Sequence, residues 1–594
     1  LRLAILVFVV ALAAHLPALF EYRHDPFVHW PLSDAQSYDE WAQRIASRGL
    51  AAEPVFHQAP LFPVLLALAY GFSAAFSATR AALLLQALLT SAAVALLVPV
   101  GKAYLRSAAA GAVGAVLVVL HGPFVFYGLK LLPVPVALAT SAAALAVLGA
   151  ARERRSLVLD LLAGLALGIS ALARAEGLLL APVGAAALAT ARGHRSWHTR
   201  AASVVVFAAG IAMGVAPATI HNLRHGDFVL VASSGGENLF IGNQRGARGD
   251  YTPLHPRAGD IFSERLLGKA IAEKDAGRPI SPSAVSAYWR TRALREVLAD
   301  PVGWLVLEGR KLRRVLAPGD PSDAYSFPLE RDLFLPWLHA LALPAWPLLA
   351  LGLAGVSIAL RRGFASSWPL AGAAAAQLAT LLLFFVNTRL RLPLFFLLAP
   401  FGGLALIEAA ASWRREARRL SVAVAAVVLA ALAIAGAALT RAVPRDHLRL
   451  ASALSSQGRL DEGLAAMTPL MAMRPPYALA IDQAGWILQK KGEFSAARDR
   501  YREALAAGLP EGRAAETRTR LAQVLEKLGA PVEASAEHDR AVGSPEATAG
   551  TWYERGMFRL RRGDRAGAVA DLRAAAKLDP SWDRPRDALA RLGN

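Results

Sequence analysis

The sequence contains no cysteine among its 594 residues. This absence excludes disulfide bonds, thiolate nucleophiles and metal sites built on thiolates. Charged residues are also scarce: they make up 18% of the chain, below the roughly 25% that is usual for soluble globular proteins. Hydrophobic residues reach 55%, and the mean hydropathy is +0.38. The composition therefore predicts a polytopic membrane protein.

Several familiar motifs are missing as well. The sequence has no Gly-Lys-Ser/Thr phosphate loop, no His-Glu-x-x-His zinc motif and no Gly-x-Ser-x-Gly nucleophile elbow. ATP-driven transport and serine hydrolysis therefore have no support. The formal net charge of +19 lies largely in short Lys and Arg clusters between apolar runs. This pattern is typical of cytoplasmic loops, so we predict membrane lipids and no nucleic acid as partners.

Apolar runs predict an all-α membrane domain over residues 1–440 with about eleven spans. We place the spans at 1–20, 81–101, 107–122, 131–150, 157–173, 175–191, 201–220, 337–360, 367–386, 392–410 and 420–440. The first run could instead be a cleaved signal peptide, but the many later runs favour an uncleaved span.

The basic clusters orient these spans. Residues 61–78 are predicted to re-enter the membrane or lie on its surface, because a crossing there would put the later basic clusters outside. The N-terminus is then cytoplasmic, in a bacterial inner or plasma membrane. Loops 21–60 and 221–336 and everything after Arg441 lie on the outer side.

Three outer segments have a recognisable pattern. Residues 34–50 predict an amphipathic helix on the membrane surface, with Tyr38 and Trp41 on one side. Residues 233–243 contain three glycines, which predict turns with positive φ. Residues 283–315 have the apolar spacing of amphipathic helices that pack on the membrane face.

From about residue 441 the composition changes and a repeat begins. Gly458, Gly492, Gly529 and Gly563 follow one another at intervals of 34, 37 and 34 residues, and after the last three an alanine stands at both the fifth and the twelfth position. This pattern resembles four tetratricopeptide repeats over residues 441–594. Gly463 replaces the first small alanine, and His538 stands where an aromatic residue is usual. Such an array either docks a protein or glycan partner or serves as a structural cap.

The acidic segment after the first span is the candidate for chemistry. Asp34 is the first choice for a general base and Asp39 the second, because a carboxylate beside aromatic residues at a membrane surface can accept a proton from an incoming hydroxyl or amine. The alternative is structural: Asp34 could cap the helix that it begins.

Four short sequence motifs, in this order along the chain, resemble integral-membrane glycosyltransferases of the C superfamily. This superfamily includes protein O-mannosyltransferases and the aminoarabinose transferase of lipid A modification. The motifs are Ser33-Asp-Ala-Gln-Ser-Tyr-Asp-Glu-Trp-Ala42, Phe56-His-Gln-Ala-Pro-Leu-Phe-Pro63, Leu172-Ala-Arg-Ala-Glu-Gly-Leu-Leu179 and Asn387-Thr-Arg-Leu-Arg-Leu-Pro393. The resemblance covers about the first 440 residues.

The resemblance implies inverting transfer of a sugar from a polyprenyl-phosphate donor to an acceptor that is a protein, a lipid or a glycan, with Asp34 as the base. Cations expected at the donor phosphate are Arg389, Arg391, Arg174 and Lys130; interfacial contact with lipid headgroups is the alternative for them. Expected contacts to the sugar or acceptor are Tyr38, His57, Gln58, Glu237 and Asn238.

The sequence departs from the family at one point. Relatives often carry a second acidic residue near the Phe56 segment, where this chain has His57 and Gln58. We predict no metal site and no definite cofactor, although a divalent metal is compatible with the family. Two other functions stay open: a ligase or polymerase of lipid-linked oligosaccharides, and a non-catalytic scaffold that presents the repeats.

Overall fold

The computed structural model describes residues 1–21, 24–71, 77–191, 196–255, 261–317, 319, 323–341, 343–363, 365–413, 443–579 and 582–593. Within these ranges the chain is helical and has no extended strand, which confirms the predicted all-helical class. The chain divides into two compact units, Leu1–Arg441 and Ala442–Asn594.

The first unit has nineteen α-helices in its described ranges, besides three short 3-10 helices. In chain order they are α1 (Arg2–Glu21), α2 (Pro26–His29), α3 (Asp34–Arg48), α4 (Leu61–Gly71), α5 (Ala78–Leu105), α6 (Ala108–Leu120), α7 (Gly122–Tyr127), α8 (Val134–Arg154), α9 (Leu157–Ala173), α10 (Ala181–Ala189), α11 (Trp197–Arg224), α12 (Gly235–Asn243), α13 (Ile261–Ala276), α14 (Pro282–Ala299), α15 (Pro301–Leu316), α16 (Phe327–Leu333), α17 (Ala345–Arg361), α18 (Trp368–Leu383) and α19 (Thr388–Trp413).

Five of these helices, α1, α5, α8, α11 and α19, are long and apolar enough to cross a membrane. Five more predicted spans coincide with shorter apolar helices, at 108–120, 157–173, 175–189, 345–361 and 368–383. The last predicted span, 420–440, lies outside the described residues. The number of eleven spans therefore stays a prediction.

Glycines bring α9 and α11 into close contact. Gly164 and Gly168 lie one turn apart on α9, facing Gly210 and Gly214 on α11. A Cβ at Gly164 would lie 2.0 Å from the backbone oxygen of Phe207, and one at Gly214 would lie 2.7 Å from the Cα of Gly168. Small residues at this spacing let two apolar helices pack through their backbones, as in membrane helix pairs.

The helix α4 follows the loop that contains α3. It has 11 residues, about 16 Å at 1.5 Å per residue, roughly half the apolar thickness of a bilayer. Its Phe62 ring lies edge-on to Tyr38 of α3, with 5.3 Å between the ring centroids. The apolar side of α3, predicted to face a membrane surface, is thus covered at least in part by α4.

The prediction of positive-φ turns in residues 233–243 is wrong, because most of this segment forms α12 and its glycines do not have positive φ. Two of them, Gly236 and Gly242, are required for a different reason. A Cβ at Gly236 would lie 1.8 Å from the oxygen of Ser286, and one at Gly242 would lie 2.0 Å from the oxygen of Phe384. These glycines allow close backbone packing.

The second unit consists of antiparallel helix pairs. Its helices are α20 (Pro444–Ser456), α21 (Leu460–Met471), α22 (Ala478–Lys491), α23 (Phe494–Ala506), α24 (Glu511–Lys527), α25 (Pro531–Val542), α26 (Ala549–Arg561), α27 (Arg565–Leu578) and α28 (Asp583–Arg591). The first eight form four successive pairs, and α28 packs on the last pair.

The details of the pairs match the predicted repeat. All four repeat glycines adopt positive φ, between 75° and 84°, in the turn between the two helices of a pair. The six alanines that follow the last three glycines are completely buried: Ala497, Ala504, Ala534, Ala541, Ala568 and Ala575. The second unit is therefore an array of tetratricopeptide-type repeats, as predicted.

His538 fills an aromatic position in the third repeat. It is fully buried, and its ring lies 5.0 Å from that of Phe558. Burial lowers the pKa of His538 to about 4, from an ordinary value of 6.5. The folded repeat therefore holds the neutral imidazole.

This burial predicts a loss of stability in acid. The unfolded chain takes up the histidine proton below about pH 6.5, whereas the folded chain resists it until about pH 4. The contribution is thus present above pH 6.5 and declines as the pH falls, by about 3 kcal/mol at pH 4. The measurement is urea unfolding of wild type and His538→Phe between pH 7 and pH 4. We expect the variant to lose less stability, and equal losses would contradict the assignment.

Candidate active site in the first unit

Asp34 is the first residue of α3. The preceding residue, Ser33, has φ 50° and ψ −115°, a strained conformation for a residue with a Cβ. Such strain costs roughly 1–3 kcal/mol and persists only where the surrounding structure enforces it, often at functional sites. The backbone is thus bent immediately before the predicted base.

The carboxylate of Asp34 contacts the guanidinium of Arg389 at the start of α19. Nη2 of Arg389 donates to Oδ2 of Asp34 at 2.5 Å. The Asp34 side chain is 23% exposed and that of Arg389 is 16% exposed, so the pair can be reached by a bound molecule. The two residues are 355 positions apart in sequence, so only the folded chain brings them together.

A second carboxylate, Asp323, holds Arg389 from the other side. Its oxygens accept hydrogen bonds from the Arg389 backbone amide at 3.1 Å and from the Asn387 side chain at 3.3 Å. The Nε of Arg389 lies 3.5 Å from the Asp323 carboxylate, which is 2% exposed. Asp323 therefore fixes the guanidinium while leaving Asp34 at the more accessible end.

Tyr38 and the motif that contains Arg174 lie close to the Asp34–Arg389 pair. Nε of Arg174 donates to Glu176 at 2.6 Å. Burial raises the pKa of the Tyr38 hydroxyl far above its usual range, and the nearby charge of Asp34 raises it further. The charges of Arg174 and Arg389 act on the same hydroxyl in the opposite sense. The Phe62 ring of the Phe56–Pro63 motif also contacts Tyr38, so the structure gathers all four resembling motifs around this residue.

Asp39 lies on a different side of the same helix. The two carboxylates are five residues apart, about 140° around the axis at 100° per residue. The hydroxyl of Tyr70 in α4 donates to Asp39, and the amide of Gln43 donates to it at 3.1 Å. Asp39 therefore joins α3 to α4, and of these two α3 carboxylates it is Asp34 that contacts Arg389.

The segment after α11 packs directly on the motif that begins at Phe56. The backbone amides of Ser233 and Ser234 donate to the carbonyls of Phe56 and His57 at 2.9 and 3.1 Å. Ser37, one turn after Asp34, donates to the Gln58 side chain at 3.2 Å. The segment that contains Glu237 and Asn238 is thus fixed next to the motif that contains His57 and Gln58.

Glu237 and His57 lie side by side, with 3.7 Å between Oε2 and Nδ1. Burial, followed by the charge of Glu264, raises the pKa of Glu237 to about 8. Burial, followed by the charge of Arg265, lowers the pKa of His57 to about 3. At neutral pH both groups are therefore mostly uncharged. Asn238 donates instead to the hydroxyl of Ser234 in its own helix turn, at 3.5 Å.

Lys130 belongs to a buried ionic cluster. Its ammonium donates to Asp25 at 2.9 Å and to Glu330. It also lies 4.8 Å from the ring centroid of Phe126 and 4.7 Å from that of Tyr325. Burial alone would lower the pKa of Lys130, but the charges of Asp25 and Glu330 raise it overall. The lysine joins the loop between α1 and α2 to α16.

Arg391 is completely buried. Its guanidinium donates to the carbonyls of Arg314, Ala317 and Gly319 at 3.2, 2.9 and 2.7 Å. These carbonyls belong to the last turn of α15 and the residues after it, so Arg391 caps that helix. All four cations predicted to meet a lipid phosphate thus have partners within the fold, and only Arg389 and Arg174 combine such a partner with some exposure.

Two observations concern bound groups. Within the described ranges, no three His, Asp or Glu side chains are grouped so as to hold a metal ion. A cavity among α8, α9, α10, α11 and α18 is lined by Leu148, Leu167, Phe207 and other apolar residues and has a volume of about 20 Å³. This is room for about one water molecule and far too little for an isoprenoid chain.

The residues that sequence reasoning missed are mainly the acidic partners. Asp323 and Glu330 lie between α15 and α17, and Asp25 lies between α1 and α2. Each binds a cation at least 66 positions away. A usable signal was that Asp323 and Glu330 flank Tyr325 and Phe327, the same acidic and aromatic mixture that marked the Asp34 segment.

No family model and no curated protein matches the chain. It is similar to the solved structure of YrrB, a TPR protein with an unusual peptide-binding site, at 26% identity over 24% of this chain and 71% of that chain, with a TM-score of 0.20. It is also similar to yeast Tom70, at 12% identity over 84% and 94% of the two chains, with a TM-score of 0.25.

A further similarity is to the APC/C hetero-tetramer Cut9–Hcn1, at 12% identity over 95% and 98% of the two chains, with a TM-score of 0.24. These scores are low, so the repeat assignment depends on the geometry of the helix pairs themselves.

Proposed function

We propose that the first unit is a membrane-embedded glycosyltransferase that moves a sugar from a polyprenyl-phosphate donor to an acceptor on the outer side of the membrane. The observation that carries this proposal is the contact between Asp34 and Arg389. A proton acceptor and a phosphate-binding cation adjoin each other at a partly exposed point, behind a strained residue. Asp323 holds the cation in place.

In the proposed reaction, Asp34 takes the proton of the acceptor hydroxyl or amine. The acceptor atom attacks the anomeric carbon of the sugar from the face opposite the phosphate. The bond between this carbon and the phosphate oxygen breaks, and its electron pair leaves with the polyprenyl phosphate. The configuration at the anomeric carbon is therefore inverted.

Arg389 serves both partners of this reaction. Without donor its Nη2 engages Oδ2 of Asp34. An incoming phosphate competes for the same guanidinium, whose planar fork suits phosphate oxygens. Once the phosphate holds Arg389, Oδ2 of Asp34 becomes available to the acceptor. The donor thus prepares the base, and Arg389 stabilises the charge that develops on the departing phosphate.

Other nearby residues have supporting roles in the proposal. Arg174, whose side chain is 23% exposed, is a second cation for the phosphate. The uncharged pair Glu237 and His57 suits hydrogen bonding to sugar hydroxyls, because a neutral carboxylic acid can donate as well as accept. Lys130 and Arg391 are assigned structural roles.

The proposed location is an inner or plasma membrane, with the N-terminus in the cytoplasm and the repeats on the outer side. Support comes from the five long apolar helices and the glycine contacts between α9 and α11. The repeats are proposed to bind a protein partner, because stacked helix pairs of this kind form extended binding surfaces.

One observation favours a different function, that of a non-catalytic scaffold. In the structure every predicted phosphate-binding cation has a partner, so a donor must displace an existing contact. A scaffold would keep these ion pairs permanently. A binding measurement with a polyprenyl-phosphate sugar distinguishes the two functions, because the glycosyltransferase binds this lipid and the scaffold does not.

The role of Arg389 predicts a selective loss of donor affinity. Arg389→Ala removes a charge-assisted contact worth about 1.5–3 kcal/mol, so the Kd for the donor should rise by roughly 10–100-fold. The measurement is titration of the protein in detergent with a fluorescent polyprenyl-phosphate sugar, followed by titration with acceptor.

Arg362→Ala is the matched control, since Arg362 forms an exposed ion pair with Glu408 near the far end of α19. This variant should bind donor like the wild type. A larger loss of acceptor affinity than of donor affinity in Arg389→Ala would count against a phosphate site.

A further inference from the structure

The helix α15 buries Leu307 and Val315 but leaves most of its other aliphatic side chains exposed. Four of its aliphatic side chains are strongly exposed, at 72% for Val302, 62% for Leu305, 51% for Val306 and 47% for Leu316. At 100° per residue these positions fall within about 100° of one another around the helix. They form one apolar stripe, which we call the outer stripe of α15.

The opposite side of α15 faces the protein, where Leu307, Lys311 and Val315 are buried. Lys311 is fully buried, and its ammonium donates to Asn243 at 3.0 Å, Glu308 at 2.7 Å and the carbonyl of Leu382 at 2.6 Å. The Trp304 indole donates to the same Asn243 side chain at 3.1 Å. These contacts fix the rotation of the helix, so the outer stripe cannot turn inward without breaking them.

Exposed basic residues accompany the outer stripe. Arg310 and Arg313 are exposed on α15 itself, about 80° and 20° from Val302 around the axis. The end of α14, the helix just before α15, also exposes aliphatic side chains, with Leu294 51% and Leu298 76% exposed. Arg295 is also exposed there. The surface therefore combines aliphatic side chains with guanidinium groups.

This combination identifies the occupant. Aliphatic side chains flanked by arginines suit the boundary between the acyl chains and the phosphates of a bilayer, where the apolar side dips in and the guanidinium groups reach the phosphates. A second copy of this chain fits less well, because a two-fold interface would bring its arginines close to those of the first copy.

We infer that α15 lies in the surface of the outer leaflet and that its outer stripe is buried among lipid acyl chains. The inference rests on the proposed membrane location of the first unit but not on sugar transfer. It also connects the bilayer to the candidate site, because Arg391 caps α15 and stands two residues after Arg389 in α19.

Because the chain has no cysteine, single spin labels can be placed without background. Leu305→Cys and Val306→Cys report on the outer stripe. The full chain is reconstituted into nanodiscs of phosphatidylcholine and phosphatidylglycerol. Collision of each label with oxygen, which partitions into lipid, is compared with collision with a water-soluble nickel chelate.

Two controls calibrate the experiment. Val532→Cys replaces a valine of the second unit that is 82% exposed, and Val9→Cys replaces a valine of α1 that is 54% exposed. We expect the oxygen-to-nickel ratio at Leu305→Cys and Val306→Cys to exceed that of Val532→Cys several-fold and to approach that of Val9→Cys.

Labels on α15 as open to nickel as Val532→Cys would overturn the inference. Labels shielded from both reagents would overturn it as well, since protein would then cover the stripe. If Val9→Cys shows the lipid pattern and α15 does not, only this inference fails. If Val9→Cys is also open to nickel, the proposed membrane location fails with it.

Discussion

Asp34→Asn is expected to lower the rate of sugar transfer by about 10²–10⁴-fold, the usual contribution of a positioned general base. The amide keeps the shape of the side chain but cannot accept the acceptor proton. Donor binding should be retained, because Arg389 remains in place and is held by Asp323. The measurement is single-turnover transfer from a fluorescent polyprenyl-phosphate sugar, with donor affinity measured on the same sample.

Asp39→Asn is the matched control for this result. It makes the same chemical change on the same helix, at a carboxylate that contacts Tyr70 and Gln43. We expect it to retain most of the transfer rate. Equal rates for Asp34→Asn and wild type would remove Asp34 from the reaction, and a larger loss in Asp39→Asn would move the base to that residue.

The second large effect concerns stability. Lys130→Met leaves Asp25 and Glu330 buried without their shared cation, and breaking a buried ion pair in this way typically costs 3–5 kcal/mol. We expect a strongly lowered unfolding temperature for the protein in detergent. Unfolding is monitored by intrinsic fluorescence. The physical reason is that the two carboxylates are 2% and 0% exposed.

Two further variants define this effect. Lys102→Met removes an exposed lysine near the end of α5 and should unfold like the wild type. Adding Asp25→Asn and Glu330→Gln to Lys130→Met removes the orphaned charges and should recover part of the loss. If Lys130→Met unfolds like Lys102→Met, the cluster contributes nothing to the fold.

Much of the fold could be predicted from the sequence because it depends on local periodicity. The glycines of the repeats were visible as a spacing, and the structure places all four in the left-handed turns that only glycine adopts freely. His538 could be recognised as a substitute for an aromatic residue, and the structure buries it against Phe558.

The glycines of residues 233–243 show the limit of such reasoning. A glycine needed for positive φ and one needed for close backbone packing look the same in a sequence. Gly236 and Gly242 are of the second kind, and only the positions of Ser286 and Phe384 reveal it. The prediction of turns failed for this reason.

The candidate residues could be picked out from the sequence, but their contacts with one another could not. Asp34, Arg174 and Arg389 belong to short recognisable sequence motifs, and the structure places them around Tyr38. Their contacts cross more than 300 residues of sequence in the case of Asp34 and Arg389. Arg389 and Arg391 are two residues apart and look equivalent, yet one meets a carboxylate and the other caps α15.

The central claim is that the first unit binds a sugar on a polyprenyl monophosphate. Mass spectrometry of the lipid that co-purifies with the protein from its native membrane tests this claim most directly, with Arg389→Ala as the comparison. We predict a polyprenyl-monophosphate sugar in the wild-type sample and much less in the variant. A lipid pyrophosphate would instead indicate an oligosaccharide ligase or polymerase, and equal lipid content in both samples would contradict a donor site at Arg389.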